Sequence, residues 1–180
     1  MSTQVKEKIE TTLEALKEDF GYKNSFEAPK VTKVIVNTGI GSVQNKEQRK
    51  LIEDRLSIIT GQKAAYCGAK KSIASFKLRE GDVIGFRVTV RGQRMYDFLE
   101  RLFHIALPRT KDFKGISRKS VDEMGNMTIG IPERTIFPET PDEELKNVFG
   151  FSVTVVTNAS NQREAEAFFE HLGTPFKEKE

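Results

Sequence analysis

Apolar and polar residues alternate without a break from Ile84 to Arg91. Ile84, Phe86, Val88 and Val90 fall on one side of an extended chain; Gly85, Arg87, Thr89 and Arg91 fall on the other. The pattern predicts a strand that buries one side and shows cations and a hydroxyl on the other. Val31–Thr38 also reads as a strand, with Val34 and Val36 on one face and Lys33, Ile35 and Asn37 on the other. Its apolar run suggests a central position in a sheet. Shorter strands are expected over Lys63–Cys67, Met127–Ile131 and Phe151–Thr157, the last with Val153 and Val155 on one face.

Helical spacing separates these strands. Val5, Ile9, Leu13, Leu16 and Phe20 recur at steps of three and four and predict a helix over Thr3–Phe20. A second helix is expected from Asn45, with Gln48 as the return partner of a capping box. Leu51, Ile52, Leu56 and Ile59 form its apolar face, and Gly61 fits just past its end. A third starts near Gln93 and stops before Pro108, with Met95, Phe98, Leu99, Leu102 and Ala106 as its stripe. A last helix carries Ala165, Phe168, Phe169 and Leu172 behind a capping box of Asn161 and Glu164. Pro132, Pro138 and Pro141 argue against a helix or a central strand nearby. This order predicts an α+β fold: a mainly antiparallel sheet with helices packed on one face and an open polar face. The whole chain, residues 1–180, reads as a single domain. The open face would carry Asn37, Arg87, Thr89, Arg91 and Thr154.

Charge sharpens this picture. Residues 1–60 carry 10 basic and 9 acidic side chains, residues 61–120 carry 14 and 5, and residues 121–180 carry 5 and 12. The basic middle third holds the alternating strand and, just before it, a fourteen-residue loop from Ala69 to Asp82. That is long for a hairpin connection. It mixes Lys70, Lys71, Lys77 and Arg79 with Ile73, Phe76 and Leu78, which a loop built only for solubility would not expose. Cations beside a polar sheet face point to a polyanion, with RNA first. Phosphate and shape recognition fits better than base stacking on the sheet, because few aromatics are expected on its open face.

Other chemistry finds little support. One cysteine, Cys67, precludes an internal disulfide and a cysteine-based zinc site. His104 and His171 stand alone on predicted helices, with no second histidine at ligand spacing. The Gly39-Ile40-Gly41 turn has Gln44 where a dinucleotide fingerprint needs glycine. Six residues separate Gly61 from Gly68, and Ala69 precedes the lysines, so a phosphate loop is excluded. Acidic clusters at Asp142, Glu143 and Glu144 and at Glu164, Glu166 and Glu170 suit helix starts and solvated faces. Nucleophile, base and oxyanion donors do not assemble, so neither an enzyme nor a cofactor or metal is expected. No run approaches a membrane span and no signal-peptide core is present, which predicts a soluble cytoplasmic protein. The rival readings are a nucleic-acid-processing enzyme and a protein-interaction module built on the acidic C-terminal third.

Long segments of the chain are similar to bacterial large-subunit ribosomal protein five. They include VIVNTGIG (34–41), ITGQK (59–63), AKKSIASFKLREG (69–81), RGQRMYDFLERL (91–102), IALPRTKDFKGIS, GNMTIGIPERTIFPE and HLGTPF, in family order over nearly the whole length. The resemblance implies a protein of the central protuberance that binds 5S rRNA, touches large-subunit rRNA and P-site tRNA, and bridges to small-subunit ribosomal protein thirteen. It implies a 5S-binding role for Asn37, Gln62 and Thr89. Lys63, Arg87 and Arg91 are added to that rRNA set, the two arginines from their alternation. The loop Lys70–Arg79, including Ser72, Phe76 and Lys77, would reach tRNA. Arg109, Lys111, Asp112, Phe113, Phe137, Asp142 and Glu143 would lie at the subunit bridge. The chain departs from the family at Gly68, Met124 and Phe149, where a basic residue is usual.

Overall fold

A computed structural model describes residues 4–41, 43, 45–111, 113–139 and 149–177. In chain order the elements are α1 (Gln4–Phe20), β1 (Val31–Gly39), α2 (Lys46–Thr60), β2 (Ala65–Gly68), β3 (Val83–Val90), α3 (Gln93–Arg101), β4 (Met127–Ile131), β5 (Phe151–Thr157) and α4 (Gln162–Leu172). The strands form one antiparallel sheet in the order β2-β3-β1-β5-β4, which gives the expected α+β class and puts β1 at the centre. Alternate burial runs along the strands. Val34, Val36 and Thr38 in β1, Phe86, Val88 and Val90 in β3, and Phe151, Val153, Val155 and Thr157 in β5 are buried, while Asn37 and Arg87 between them are exposed.

The chain gathers into two compact units. One comprises residues 1–34, 91–129 and 154–180, the other residues 35–90 and 130–153. In the first, α1 packs on α4 and α3. Its buried seam runs through Val5, Thr12 and Leu16, with Ile9 and Leu13 only half-buried. Thr12 is tolerated there because its hydroxyl donates to the Lys8 carbonyl of the preceding turn. The third helix does not end at Arg101: it continues as a π-helical stretch from Leu102 to Ala106, where the Leu107 amide reaches the Leu102 carbonyl at 3.0 Å. That widening keeps Leu102, Phe103, Ala106 and Leu107 buried up to Pro108.

The cap of α4 is more elaborate than a two-residue box. The Asn161 side chain accepts from the Glu164 amide at 2.9 Å, and the Glu164 carboxylate accepts from the Ser160 amide at 2.7 Å. The return bond therefore lands one residue before the cap. Buried Glu164 also accepts a short hydrogen bond from the Tyr22 hydroxyl. Burial, then the hydrogen bond and charge of Glu164, push the Tyr22 hydroxyl well above its ordinary value of 10.0. An acid whose native pKa is raised keeps its proton longer in the folded than in the unfolded chain. Its contribution is complete below about pH 10 and declines as pH rises toward the folded-state value. Tyr22→Phe is expected to remove this part of the alkaline fall in stability. Denaturant unfolding at pH 8 and 11 measures it, and identical pH dependence of the two proteins would refute the linkage.

In the second unit α2 packs on β3. Its Asn45 cap accepts from the Glu47 amide at 2.9 Å, one residue short of the expected box at Gln48. Gly61 closes it in the left-handed region at φ 67°, with its amide on the Ser57 carbonyl. Gly85, on the polar side of the alternating strand, is buried rather than open. A Cβ there would stand 2.9 Å from the Thr38 carbonyl oxygen, so only glycine lets β3 approach its neighbour so closely.

Candidate nucleic-acid interface

Three surfaces of the second unit carry most of the binding residues expected from the sequence; Arg91 belongs to the first unit. The first is the open sheet face. Asn37 and Arg87 are exposed there, and Thr89 is half-exposed. Arg91, one residue past β3, is exposed as well. Among the described residues this face carries no large aromatic ring, for a reason visible in the register. Tyr66 pairs with Phe86 and therefore shares the helix-covered side, whereas Ala65 pairs with Arg87 and Cys67 with Gly85. A face of amide, hydroxyl and guanidinium groups can hydrogen-bond and neutralise phosphate but cannot stack bases.

The second surface is the basic loop. Its base is closed by the Ala69 amide on the Asp82 carbonyl at 2.8 Å and the Gly81 amide on the Ala69 carbonyl at 3.0 Å. Near the tip Ile73 and Leu78 exchange amide-to-carbonyl bonds in an isolated antiparallel bridge. Between them Ala74–Phe76 makes one 3₁₀ turn, closed by Lys77 in the left-handed region at φ 53°. The Ser72 hydroxyl accepts from the Glu80 amide, and the Asp82 carboxylate accepts from the Arg79 amide. These bonds occupy the backbone and leave the side chains outward: Lys70, Lys71, Ser72, Lys77 and Arg79 are exposed, and Phe76 is 71% exposed. An aromatic ring held out among cations can only be satisfied by a partner or by water.

The third surface was not legible as a site in the sequence. A groove of about 980 Å³ lies between α2 and the β2–β3 edge. Gln62 and Lys63 line this groove. Lys46, Arg49 and Lys50, at helical spacing i, i+3 and i+4, line it from α2. Tyr66, 57% exposed, also faces it. Its ring lies 5.4 Å from that of Phe86, and its hydroxyl donates to Glu53 at 2.7 Å. That bond, more than burial or the charge of Glu53 and Asp54, pushes the Tyr66 hydroxyl above its ordinary range, so it stays a neutral donor.

Residues expected at a subunit bridge are treated differently by the fold. Arg109 and Lys111 are exposed and Phe113 is half-buried. Phe137 is fully buried, its ring 5.9 Å from Phe151, with its apolar surface in the core. Asp112, Asp142, Glu143 and Glu144 lie outside the described residues. Not all of the basic middle third is available to a partner. Arg118 stands 3.6 Å from Glu166 and 3.3 Å from Glu170, with its guanidinium 5.1 Å from the Phe176 ring centre. The acidic last helix thus spends two carboxylates on an internal arginine. Of the histidines, the His171 Nε2 lies 2.8 Å from the Lys8 carbonyl oxygen and the His104 Nε2 3.7 Å from Glu100. Both belong to helix contacts. Among the described residues no three His, Cys, Asp or Glu side chains are grouped to hold a metal ion, and no helix is long and apolar enough to cross a membrane.

Comparison with known proteins gives two family matches. Residues 24–79 match ribosomal protein L5, and residues 83–176 match the C-terminus of the same ribosomal family. The chain is 48% identical over 166 residues to large ribosomal subunit protein uL5 of Trichlorobacter lovleyi, covering 92% of this chain and 93% of the relative. The uL5 of Geobacter sulfurreducens is 45% identical over 166 residues, with the same coverage of 92% and 93%. That of Anaeromyxobacter dehalogenans is 44% identical over 182 residues, covering 99% of this chain and 100% of the relative.

Proposed function

Because the chain belongs to the ribosomal protein L5 family, we propose that it binds 5S rRNA through its open sheet face and helps to seat that RNA in the central protuberance. The coarser role needs no proposal: it is a structural constituent of the large ribosomal subunit, not an enzyme, and it works in the ribosome. The observation that carries the finer reading is the conjunction of Asn37, Arg87 and Thr89 on a face without stacking rings, beside a loop whose cations all point outward. Asn37 and Thr89 supply directional hydrogen bonds, with Gln62 at the end of α2 as a third polar contact. Arg87 and Arg91 supply phosphate neutralisation there, while Lys63 lies in the groove beside α2. The basic loop is proposed to reach P-site tRNA, with Lys70, Lys71, Lys77 and Arg79 on the backbone and Phe76 against a ribose or base. Contacts with large-subunit rRNA and a bridge to small-subunit ribosomal protein thirteen through Arg109, Lys111 and Phe113 complete the reading.

Equilibrium binding to 5S rRNA and to a structured RNA of equal size, over a range of salt, tests it. If about five phosphates are neutralised, log affinity falls against log salt with a slope of roughly −3.5 to −4.5. A preference for 5S rRNA that persists as salt rises is the expected result. Equal binding to both RNAs at every salt would refute specific docking on this face.

A further inference from the structure

We propose that the groove between α2 and the β2 edge is a second RNA seat: an unpaired stretch of ribosomal RNA lies along it, phosphates on Lys46, Arg49, Lys50 and Lys63, and one base against the Tyr66 ring. The proposal rests on the RNA-binding reading above and adds a surface to it.

Charge placement is the first argument. The N-terminal end of a helix carries partial positive charge, so acidic residues stabilise it and basic ones do not. α2 does the reverse: Lys46, Arg49 and Lys50 occupy its first turns, Glu47 is its one acidic first-turn residue, and no basic residue stands in its last turn. Arg49 is partly explained locally, its Nε donating to the Val43 carbonyl at 2.7 Å just ahead of the helix, whereas the helix dipole does not account for Lys46 and Lys50. All three line the groove, and Lys63 joins them from beyond the helix end. The helix dipole and the four cations outweigh Glu53 and Asp54, which also line the groove, and leave a net positive field that suits a chain of phosphates.

The second argument is Tyr66. An exposed aromatic on an edge strand is normally blunted or free to swing. Here the Phe86 ring supports one side and the bond to Glu53 fixes the hydroxyl, yet more than half of the side chain remains open. A held ring with an open face beside phosphate-binding cations is what stacking on unpaired RNA uses. Glu53, one of two acidic groove residues with Asp54, is occupied in holding that ring. At about 980 Å³ the groove is at the upper end of ligand clefts and suits a strand better than a single small molecule. An acidic peptide pairing with the β2 edge is the competing occupant. It is less favoured, because β2 offers only four residues and its register breaks between Cys67 and Gly68.

The test compares full-length variants for binding to 5S rRNA and to large-subunit rRNA fragments, with an oligoglutamate peptide as a third probe. Lys46→Ala/Arg49→Ala/Lys50→Ala is expected to weaken binding to one of the RNAs at least 10-fold and to make its salt slope shallower by about 2. Tyr66→Leu should weaken the same RNA by about 10-fold with the slope unchanged, while Tyr66→Phe keeps most of the affinity. Arg87→Ala/Arg91→Ala serves as the control for the sheet face. If that control loses RNA binding while the groove variants retain it, the groove is not an RNA seat and the sheet-face reading stands. Loss of oligoglutamate binding alone would assign the groove to a protein partner and overturn the proposal. If neither set loses RNA binding, the RNA reading fails as a whole.

Discussion

Arg87→Ala/Arg91→Ala is expected to weaken binding to 5S rRNA by roughly 100-fold at low salt. Hydrogen bonds to a charged group contribute about 1.5–3 kcal/mol each, and 1.4 kcal/mol corresponds to tenfold. Both arginines are exposed, so their removal leaves no buried partner unsatisfied and should leave the thermal midpoint nearly unchanged. The salt dependence separates this effect from a loss of shape. Two fewer neutralised phosphates make the log–log slope shallower by about 1.4–1.8, so the variant and parent curves should converge as salt rises. Filter binding at several salt concentrations measures it. Parallel curves would mean that the arginines do not touch phosphate, even if affinity fell. Asn37→Ala/Thr89→Ala should behave in the opposite sense, lowering affinity at every salt without altering the slope, because neutral hydrogen bonds release no counterions.

The strand that carries these arginines was the most legible element of the chain. Strict alternation from Ile84 to Arg91 has one structural solution, and β3 follows it except where Gly85 is buried against Thr38. That exception depends on how closely a neighbouring strand approaches, which no single-strand pattern encodes. The run Val31–Val36 likewise announced the central strand β1. Periodicity failed where a polar residue could satisfy itself locally, as with Thr12; at Leu102–Ala106 the helix changed its pitch, yet the expected stripe stayed buried. Phe137 was placed at the subunit bridge by the family resemblance, and its burial, set by contacts distant in sequence such as Phe151, was not legible there. The charge blocks were visible, but their pairing was not: Arg118 and Glu170 are 52 positions apart, and only the fold brings them together. The groove was hidden for a similar reason. Lys46, Arg49 and Lys50 mark no site along the chain until the fold sets Lys63 and Tyr66 beside them. The one available signal was the wrong sign of charge at a helix N-terminus.

Phe86 joins the stability of the fold to the chemistry of its surface. The side chain is 1% exposed, it belongs to the buried row of β3, and its ring supports Tyr66 at 5.4 Å. Phe86→Ala is expected to destabilise the protein by about 3–5 kcal/mol, the combined loss of apolar burial and of the packing around the cavity left behind. For a chain of this length that corresponds to a fall in thermal midpoint of roughly 6–20 °C. A midpoint within about 2 °C of the parent would contradict the core position. The milder Phe86→Leu separates the two roles of the ring. It keeps apolar volume in the core, so the loss of stability should be smaller, but it withdraws the ring, tilted by 57°, that packs against Tyr66. If Tyr66 is a stacking platform, Phe86→Leu should lower RNA affinity below the unfolding transition while leaving the salt slope alone. Full affinity in a folded Phe86→Leu protein would show that Tyr66 needs no support from the core, and the link from packing to recognition would be broken at this residue.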